Sequence, residues 1–328
     1  MAILAKHLAA AFMTAVGAIS ADHGFARELT PADVNAADFS TAHPRTSRAA
    51  LIKAQVLLDR AGFSSGVIDG RASGNFANAL RAFQEQNGLE TTGEPDEPTW
   101  SKLGATSAEP ALINYVITSD EASGPFAEQI PDSMEKMVGL RRLAYTGPVE
   151  LLAEKFHMDE DLLQQLNPGR PFDLPGTVIV VANVNRTPPK TEVTRLEVNK
   201  GRRFVRAFDR GGKLVGFYPA SIGSDEKPAP TGTLKITRVV RYPVYYYNPR
   251  FNFAGVRAEK RLKIAPGPNN PVGSVWMNLN ARTYGIHGTA EPEKIGKTAS
   301  HGCVRLTNWD ARALAAMVKK GTTVAFQE

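Results

Sequence analysis

Two consecutive prolines, Pro188 and Pro189, divide the chain into two halves of opposite charge. Up to Pro189 the chain carries 15 basic and 23 acidic side chains, whereas from Lys190 onward it carries 24 basic and 10 acidic ones. Proline fixes its own φ and restricts the residue before it, so this run is a stiff break. A chain of 328 residues is long enough for two or three domains. We therefore expect a multidomain α+β protein whose halves differ in kind.

The composition is that of a globular protein, with 42% apolar and 22% charged residues. It excludes a disordered chain and a collagen, while 28 glycines and 22 prolines indicate many turns. Cys303 is the only cysteine. This count excludes a disulfide within the chain and a zinc site built from several thiolates.

The first residues resemble an export signal. Lys6 precedes an apolar run of small residues at 8–19, and Ala18 and Ser20 offer a cleavage site near Ala21. The run is shorter than the roughly 20 apolar residues of a transmembrane helix, so a membrane anchor is the less favoured alternative. We expect residues 1–20 to be a signal peptide and the protein to be exported to the periplasm. In such an oxidising compartment, an unpaired thiol is retained for function or by burial.

Residues 21–48 lack sustained periodicity and are predicted to be a linker, whereas residues 49–104 show helical spacing. Apolar residues recur at 51–61 and stop at Gly62, and a second helical face ends near Gly88. The runs VLLDRAGFSSGVIDG, ALRAFQEQNGL and TGEPDEPTWSKL together resemble the three-helix peptidoglycan-binding domain. The sequence departs from that family at residues 72–75, where an aromatic-Gly pair and a Thr are usual.

Residues 105–140 form an acidic, poorly patterned connector whose role the sequence leaves open. Residues 141–184 predict a strand at Tyr145, two helices, a stop at 167–169 and a second strand. This order resembles the glycan-binding LysM module, whose second helix ends in Asn-Pro. Gly147 is followed by proline instead of the usual Asp, so the unit is either a glycan binder or a spacer. Residues 185–190 are predicted to be a linker.

Residues 191–328 are predicted to form a β-rich, sandwich-like domain. Short β-type runs lie at 195–199, 203–208, 214–218, 233–240 and 322–326. One helix is predicted after Thr307, which serves as N-cap with Asp310 three residues later, and it stops before Gly321.

Two of the six histidines, His287 and His301, lie within 16 positions of Cys303. A thiol becomes a good nucleophile when an imidazole takes its proton, and a third group must then fix the tautomer of that imidazole. Gly302 allows close approach of substrate to the backbone and leaves N–H groups to face an oxyanion. Gly288 exposes a carbonyl that could hold the His287 ring.

The segments KIAPGPNNPVGSVWMNL, YGIHGT and SHGCVRL resemble the L,D-transpeptidase catalytic domain. The resemblance implies that Cys303 is the nucleophile, His287 the general base and the Gly288 carbonyl the group that orients it. It places Ser300, His301, Gly302 and Arg305 at the substrate or the oxyanion.

The implied reaction is acyl transfer within peptidoglycan, without metal or cofactor. The thiolate attacks the carbonyl before the terminal D-Ala of a tetrapeptide stem, and an amine then resolves the thioester. That amine is a second stem, an outer-membrane lipoprotein lysine or a D-amino acid, and water is a further alternative. The charge of the basic half suits a substrate with several carboxylates.

Other interpretations stay open at this stage. Cys303 could be a buried structural thiol, or could bind zinc with His287 and His301. Arg305 could form a plain salt bridge, and the loop at 266–270 could be rigid support. The whole protein could be a non-catalytic wall-binding protein, whereas export and the lack of a nucleic-acid motif disfavour nucleic-acid binding. Several aromatic residues could line an acceptor groove or simply pack: Tyr242, Tyr245, Tyr246, Tyr247 and Phe251.

Overall fold

A computed structural model describes residues 29–38, 47–184, 191–224, 227–249, 258–298 and 302–328. The predicted signal peptide, the 185–190 linker, Phe251, Ser300 and His301 lie outside these residues. Within the described ranges, no helix is long and apolar enough to span a membrane.

The N-terminal unit contains the three helices that the periodicity predicts, and one that it does not. Its helices are α1 (Pro31–Ala36), α2 (Arg48–Ala61), α3 (Gly74–Gln86) and α4 (Glu97–Gly104). α2 ends at Gly62, whose φ of 92° is a left-handed cap. Helix α1 corrects the prediction that all of 21–48 is a linker. It forms because Thr30 and Asp33 make a capping box and Val34 is buried.

The middle unit pairs two strands around two main helices, but its first strand begins earlier than predicted. Its elements are β1 (Leu112–Val116), α5 (Ser119–Ser123), α6 (Met134–Met137), α7 (Pro148–Lys155), α8 (Glu160–Gln165) and β2 (Val178–Ala182). β1 runs antiparallel to β2, with Leu112 opposite Ala182. The strand expected at Tyr145 was wrong, since that described residue lies in no strand. β2 pairs with β1 instead of with a strand at Tyr145.

The C-terminal unit is dominated by a large sheet, as predicted. Its elements are β3 (Val193–Asn199), β4 (Phe204–Asp209), β5 (Leu214–Pro219), β6 (Ser221–Ile222), β7 (Gly232–Arg241), β8 (Tyr245–Tyr247), β9 (Leu262–Ile264), β10 (Val275–Leu279), β11 (Gly285–His287), β12 (Val304–Arg305), α9 (Asn308–Met317) and β13 (Thr323–Gln327). The nine strands described in the sheet have the order β5-β4-β3-β13-β7-β10-β11-β12-β6. The long strand β7 pairs with β13 through its first half and with β10 through its second. α9 packs on this sheet, and Leu314 contributes to the core.

The three units share buried surfaces and are not simply strung along linkers. Phe63 and Phe83 of the N-terminal unit lie in one apolar cluster with Phe204 and Phe217 of the C-terminal sheet. The Phe217 backbone also exchanges hydrogen bonds with the backbone at Gly62 and Ser64. The N-terminal helices are therefore docked on β4 and β5.

The segment at 72–75, which leads into α3 and departs from the domain that the sequence resembles, faces the C-terminal unit. The Asn75 side chain donates a 2.9 Å hydrogen bond to the Ile295 carbonyl, and it lies against Gly296. The departure from the family pattern thus coincides with an internal contact.

Candidate active site

The sheet brings the two separate histidine and cysteine motifs side by side. β11 and β12 are parallel neighbours, with Ile286 opposite Val304 and His287 opposite Arg305. Cys303 immediately precedes β12. On the other side of β11, His287 is opposite Trp276 of β10. Residues 16 positions apart in the chain are therefore neighbours in space.

His287 is buried and held in one orientation. Its Nδ1 lies 2.6 Å from the Gly288 carbonyl oxygen, so Nδ1 carries the proton and donates it to this carbonyl. The imidazole also stacks on Trp276, with 5.2 Å between ring centroids and 20° between ring planes. This arrangement leaves Nε2 as the basic atom.

The surroundings of His287 keep its ring neutral. Burial and, to a smaller extent, the Arg305 charge lower its pKa to about 3, and the hydrogen bond to Gly288 opposes both effects. The ring is therefore unprotonated throughout the neutral range and can accept a proton.

Cys303 sits at the edge of the same site with a neutral thiol. Its Sγ donates to the Thr283 carbonyl oxygen at 3.6 Å. Burial raises the pKa of the thiol, although a backbone hydrogen bond from Gly285 and the charges of Lys227 and Arg305 favour the thiolate. The site holds a thiol and an imidazole at rest, and not an ion pair.

Gly302 and Arg305 lie on either side of Cys303 in the chain. The Arg305 Nε is buried, and within the described residues it has no hydrogen-bond partner. Arg305 makes no salt bridge in this part of the chain; its charge lowers the pKa of both His287 and Cys303, and the charge of Glu291 favours the charged guanidinium. Gly302 has a φ of 94°, and a side chain there would press on Tyr284 and Lys227. These contacts explain the need for glycine before Cys303.

A cavity of about 980 Å³ contains both candidate reactive groups. Cys303, His287 and Arg305 line it, together with the basic residues Lys227 and Arg238. A thiol beside a neutral, oriented imidazole in a basic cavity suits nucleophilic attack on a carbonyl of an anionic substrate.

One wall of this cavity was missed by the sequence analysis. Ile130, Met134 and Met137 belong to the segment between β1 and α7, and they line the cavity opposite the C-terminal strands. The segment has no periodic pattern, and no signal in the sequence could have found it.

Some of the tyrosines at 242–247 line the cavity and others do not. Tyr245 and Tyr246 line the cavity, whereas Tyr247 is buried among packed residues. Tyr242 is exposed. The loop at 266–270 carries Asn269, which also faces the cavity.

Within the described residues, no three His, Cys, Asp or Glu side chains are placed to hold a metal ion. Of the three residues in the zinc alternative, the structure describes His287 and Cys303, and His301 lies outside the described residues. The Nδ1 of His287 is already occupied by Gly288.

Comparison with known proteins decides the family. Residues 193–325 match the L,D-transpeptidase catalytic domain, and residues 47–103 match a peptidoglycan binding domain. A Bacillus licheniformis protein named L,D-transpeptidase YkuD is 30% identical over 179 residues, covering 54% of this chain and 92% of its own length. The chain belongs to the L,D-transpeptidase family.

A second relative, named L,D-transpeptidase YbiS from Escherichia coli, is 28% identical and covers 66% of this chain and 72% of its own length. A solved L,D-transpeptidase from Mycobacterium smegmatis is 18% identical, with a TM-score of 0.35, and covers 46% of this chain and 66% of its own. Members of this L,D-transpeptidase family are transferases, so the chain is an enzyme. The alternative of a non-catalytic wall-binding protein is therefore wrong.

Proposed function

We propose that this L,D-transpeptidase cleaves the bond before the terminal D-Ala of a peptidoglycan tetrapeptide stem through a thioester on Cys303. The observation that carries the proposal is the Nδ1 hydrogen bond of His287 to Gly288, which leaves Nε2 to accept the thiol proton in the same cavity. A neutral imidazole with a fixed tautomer is the requirement for a general base.

His287 carries one proton in each half of the reaction. As the Cys303 sulfur attacks the stem carbonyl, its proton moves to His287 Nε2. The tetrahedral intermediate collapses, the C–N bond breaks, and His287 returns that proton to the amine of D-Ala. An incoming amine attacks the thioester, gives a proton to His287 and forms a new amide, and the thiolate recovers the proton.

The charge of the cavity favours a donor that carries carboxylates. Lys227, Arg238 and Arg305 line the cavity that holds Cys303, against the two acidic residues Asp132 and Glu291, so the basic residues are in excess by one. Stem peptides carry several carboxylates, and a basic cleft attracts them. Ser300 and His301, from the same motif, are proposed to contact the substrate or to assist proton transfer, and Gly302 to offer its N–H to the oxyanion.

The other two units are proposed to hold the enzyme at the cell wall. The match of residues 47–103 to a peptidoglycan binding domain supports wall binding by the N-terminal unit. The antiparallel pair of β1 and β2, with α7 and α8 directly before β2, supports a LysM-like interpretation, and the short helices α5 and α6 between β1 and α7 are additions to that pattern. An exported enzyme acting in the periplasm is consistent with the predicted signal at 1–20.

Wall binding is tested with the full chain, because removing the N-terminal unit would expose Phe217. The Cys303→Ala variant, which should be unable to cleave its target, is sedimented with insoluble peptidoglycan. We expect it to pellet, and a protein that stays in the supernatant would make the accessory units spacers.

The proposed reaction is tested by analysing the products that the purified enzyme makes from tetrapeptide muropeptides, with Cys303→Ala as the control. Dimers linked through two diamino acids would indicate cross-linking. A lipoprotein peptide or D-amino acid added to separate reactions tests the other acceptors. Recovery of unchanged tetrapeptides from every reaction would contradict the proposal.

A further inference from the structure

A buried carboxylate of the middle unit reaches into the C-terminal unit. Glu154 lies on α7 and is 8% exposed. Its Oε2 accepts a 2.7 Å hydrogen bond from the Asn308 side-chain amide. Its Oε1 accepts 2.7 Å bonds from the Arg312 guanidinium and the Tyr145 hydroxyl. Three donors converge on two oxygens, so only a carboxylate satisfies them all.

Asn308, at the start of α9, relays this contact toward the reactive groups. Its Oδ1 accepts a 2.9 Å bond from the Ser274 N–H, and its Nδ2 also donates to the Pro268 carbonyl at 3.1 Å. A side-chain carbon at either Gly273 or Gly288 would collide with the Asn308 Oδ1. Asn308 is therefore in tight contact with the residue whose carbonyl holds His287.

We propose that Glu154 is a positioning residue for catalysis: it fixes the Asn308 side chain, which fixes the Gly288 backbone and so the orientation of His287. The inference rests on the proposed roles of His287 and Cys303. It makes the middle unit part of the catalytic machinery and not only a wall-binding or spacing element.

The direct test is Glu154→Gln, which keeps the shape of the side chain. Glutamine offers one oxygen and one NH₂ group, so its NH₂ must face Asn308, Arg312 or Tyr145, all of which are donors there. The probe is imipenem, a carbapenem whose β-lactam carbonyl is open to attack by the Cys303 thiol, which opens the ring and forms a thioester. We expect the rate constant for this acylation to fall about tenfold, which is ~1.4 kcal/mol in activation free energy. The apparent affinity for imipenem should change less than twofold, because Glu154 is not among the described residues that line the cavity.

The matched control is Glu121→Gln. Glu121 is a carboxylate of the same unit with similar burial, and it accepts hydrogen bonds from Tyr115, Thr118 and Lys155, all of the middle unit. This variant should lose stability but keep the acylation rate. If both variants slow acylation equally, the effect comes from the stability of the unit and the proposal is overturned.

A spectroscopic measurement separates positioning from general loosening. ¹⁵N NMR of histidine-labelled protein reports the tautomer of each ring, and His287→Gln assigns the signal of His287. The wild-type ring should carry its proton on Nδ1 alone. In Glu154→Gln we expect a mixture of tautomers, and an unchanged tautomer with an unchanged acylation rate would refute the inference.

A second variant covers the case in which Glu154→Gln does not fold. Asn308→Asp places a carboxylate against Glu154 and should also slow acylation. In the variant that combines Glu154→Gln with Asn308→Asp, the amide NH₂ at position 154 can donate to the carboxylate at position 308. This double variant should recover most of the acylation rate; the Pro268 carbonyl, which loses its donor and faces a carboxylate, accounts for the remainder. A double variant no faster than the slower single variant would contradict the relay. A wild-type protein that imipenem does not acylate at Cys303 would instead contradict the proposed function.

Discussion

The structure predicts how Cys303 and His287 are protonated before substrate binds, and this protonation can be measured. Burial raises the pKa of the thiol above its ordinary value of 9.0 and lowers the pKa of the imidazole to about 3. Moving the proton from sulfur to nitrogen before substrate arrives is therefore unfavourable, because burial shifts the pKa of each group toward its neutral form. At neutral pH less than about 1% of the thiol is thiolate.

Alkylation by iodoacetamide measures this fraction, because the reagent reacts with thiolates and the chain has one cysteine. Intact-protein mass spectrometry gives the rate at each pH. We expect the rate constant to rise about tenfold per pH unit from about pH 6 to about pH 9, without a plateau. The unfolded protein, whose thiol is hydrated, should react faster at about pH 8.

The informative variant is His287→Gln, which keeps a donor for the Gly288 carbonyl. Since His287 does not form the thiolate at rest, alkylation at neutral pH should stay within about threefold of wild type. Acylation by imipenem should fall about a hundredfold or more, since general-base catalysis contributes 10²–10⁴-fold. A plateau in the alkylation profile below pH 8, or a tenfold loss of alkylation in the variant, would refute the neutral pair.

Three further variants test other parts of the structure. Burial raises the pKa of Asp310 from 3.8 to about 7. Between these two pH values the folded protein holds a proton that the unfolded chain has lost, so the free energy of unfolding falls as the pH rises, by up to ~4 kcal/mol. Urea unfolding should show that Asp310→Asn gains more stability at pH 8 than at pH 4, and an equal gain would contradict this. Phe217→Ala should cost about 3–5 kcal/mol in the same assay, because the side chain is 1% exposed between two units; a loss under about 1 kcal/mol would indicate that the units are not docked. Replacing Met134 and Met137 with Ala should raise KM for the stem substrate about fivefold, roughly 1 kcal/mol of lost apolar contact, with kcat little changed. An unchanged KM would exclude substrate contact with that wall.

Patterns within short stretches of sequence predicted the helices and strands that depend on contacts between residues close together in the chain. Helix α2 stops at Gly62 and α9 starts at Thr307, as the spacing of apolar residues and the cap residues indicate. The strands β3, β4 and β5 follow the alternation along the chain and pair with their neighbours in sequence. His287 and Cys303, which the motifs suggest as base and nucleophile, lie at the neighbouring strands β11 and β12 and line one cavity, and their roles stay predictions.

The elements that were missed depend on contacts far apart in sequence. β1 is a five-residue strand in an acidic segment, and only pairing with β2, more than 60 residues later, gives it a register. The cavity wall around Met134 and the bonds from Glu154 to Asn308 arise from the docking of whole units. No periodicity within a short window carries such information.

The central claim is that Cys303 carries the acyl group of the stem peptide. The measurement is to mix the enzyme with a tetrapeptide stem whose amines, including that of the diamino-acid side chain, are acetylated so that no acceptor amine is present, quench the mixture in acid, and determine both released D-Ala and protein mass. We predict one equivalent of D-Ala per enzyme in the first turnover, and a mass gain of one tripeptide acyl group located on Cys303. Release of D-Ala at the wild-type rate by Cys303→Ala, or release with no adduct on Cys303 at any quench time, would contradict the account.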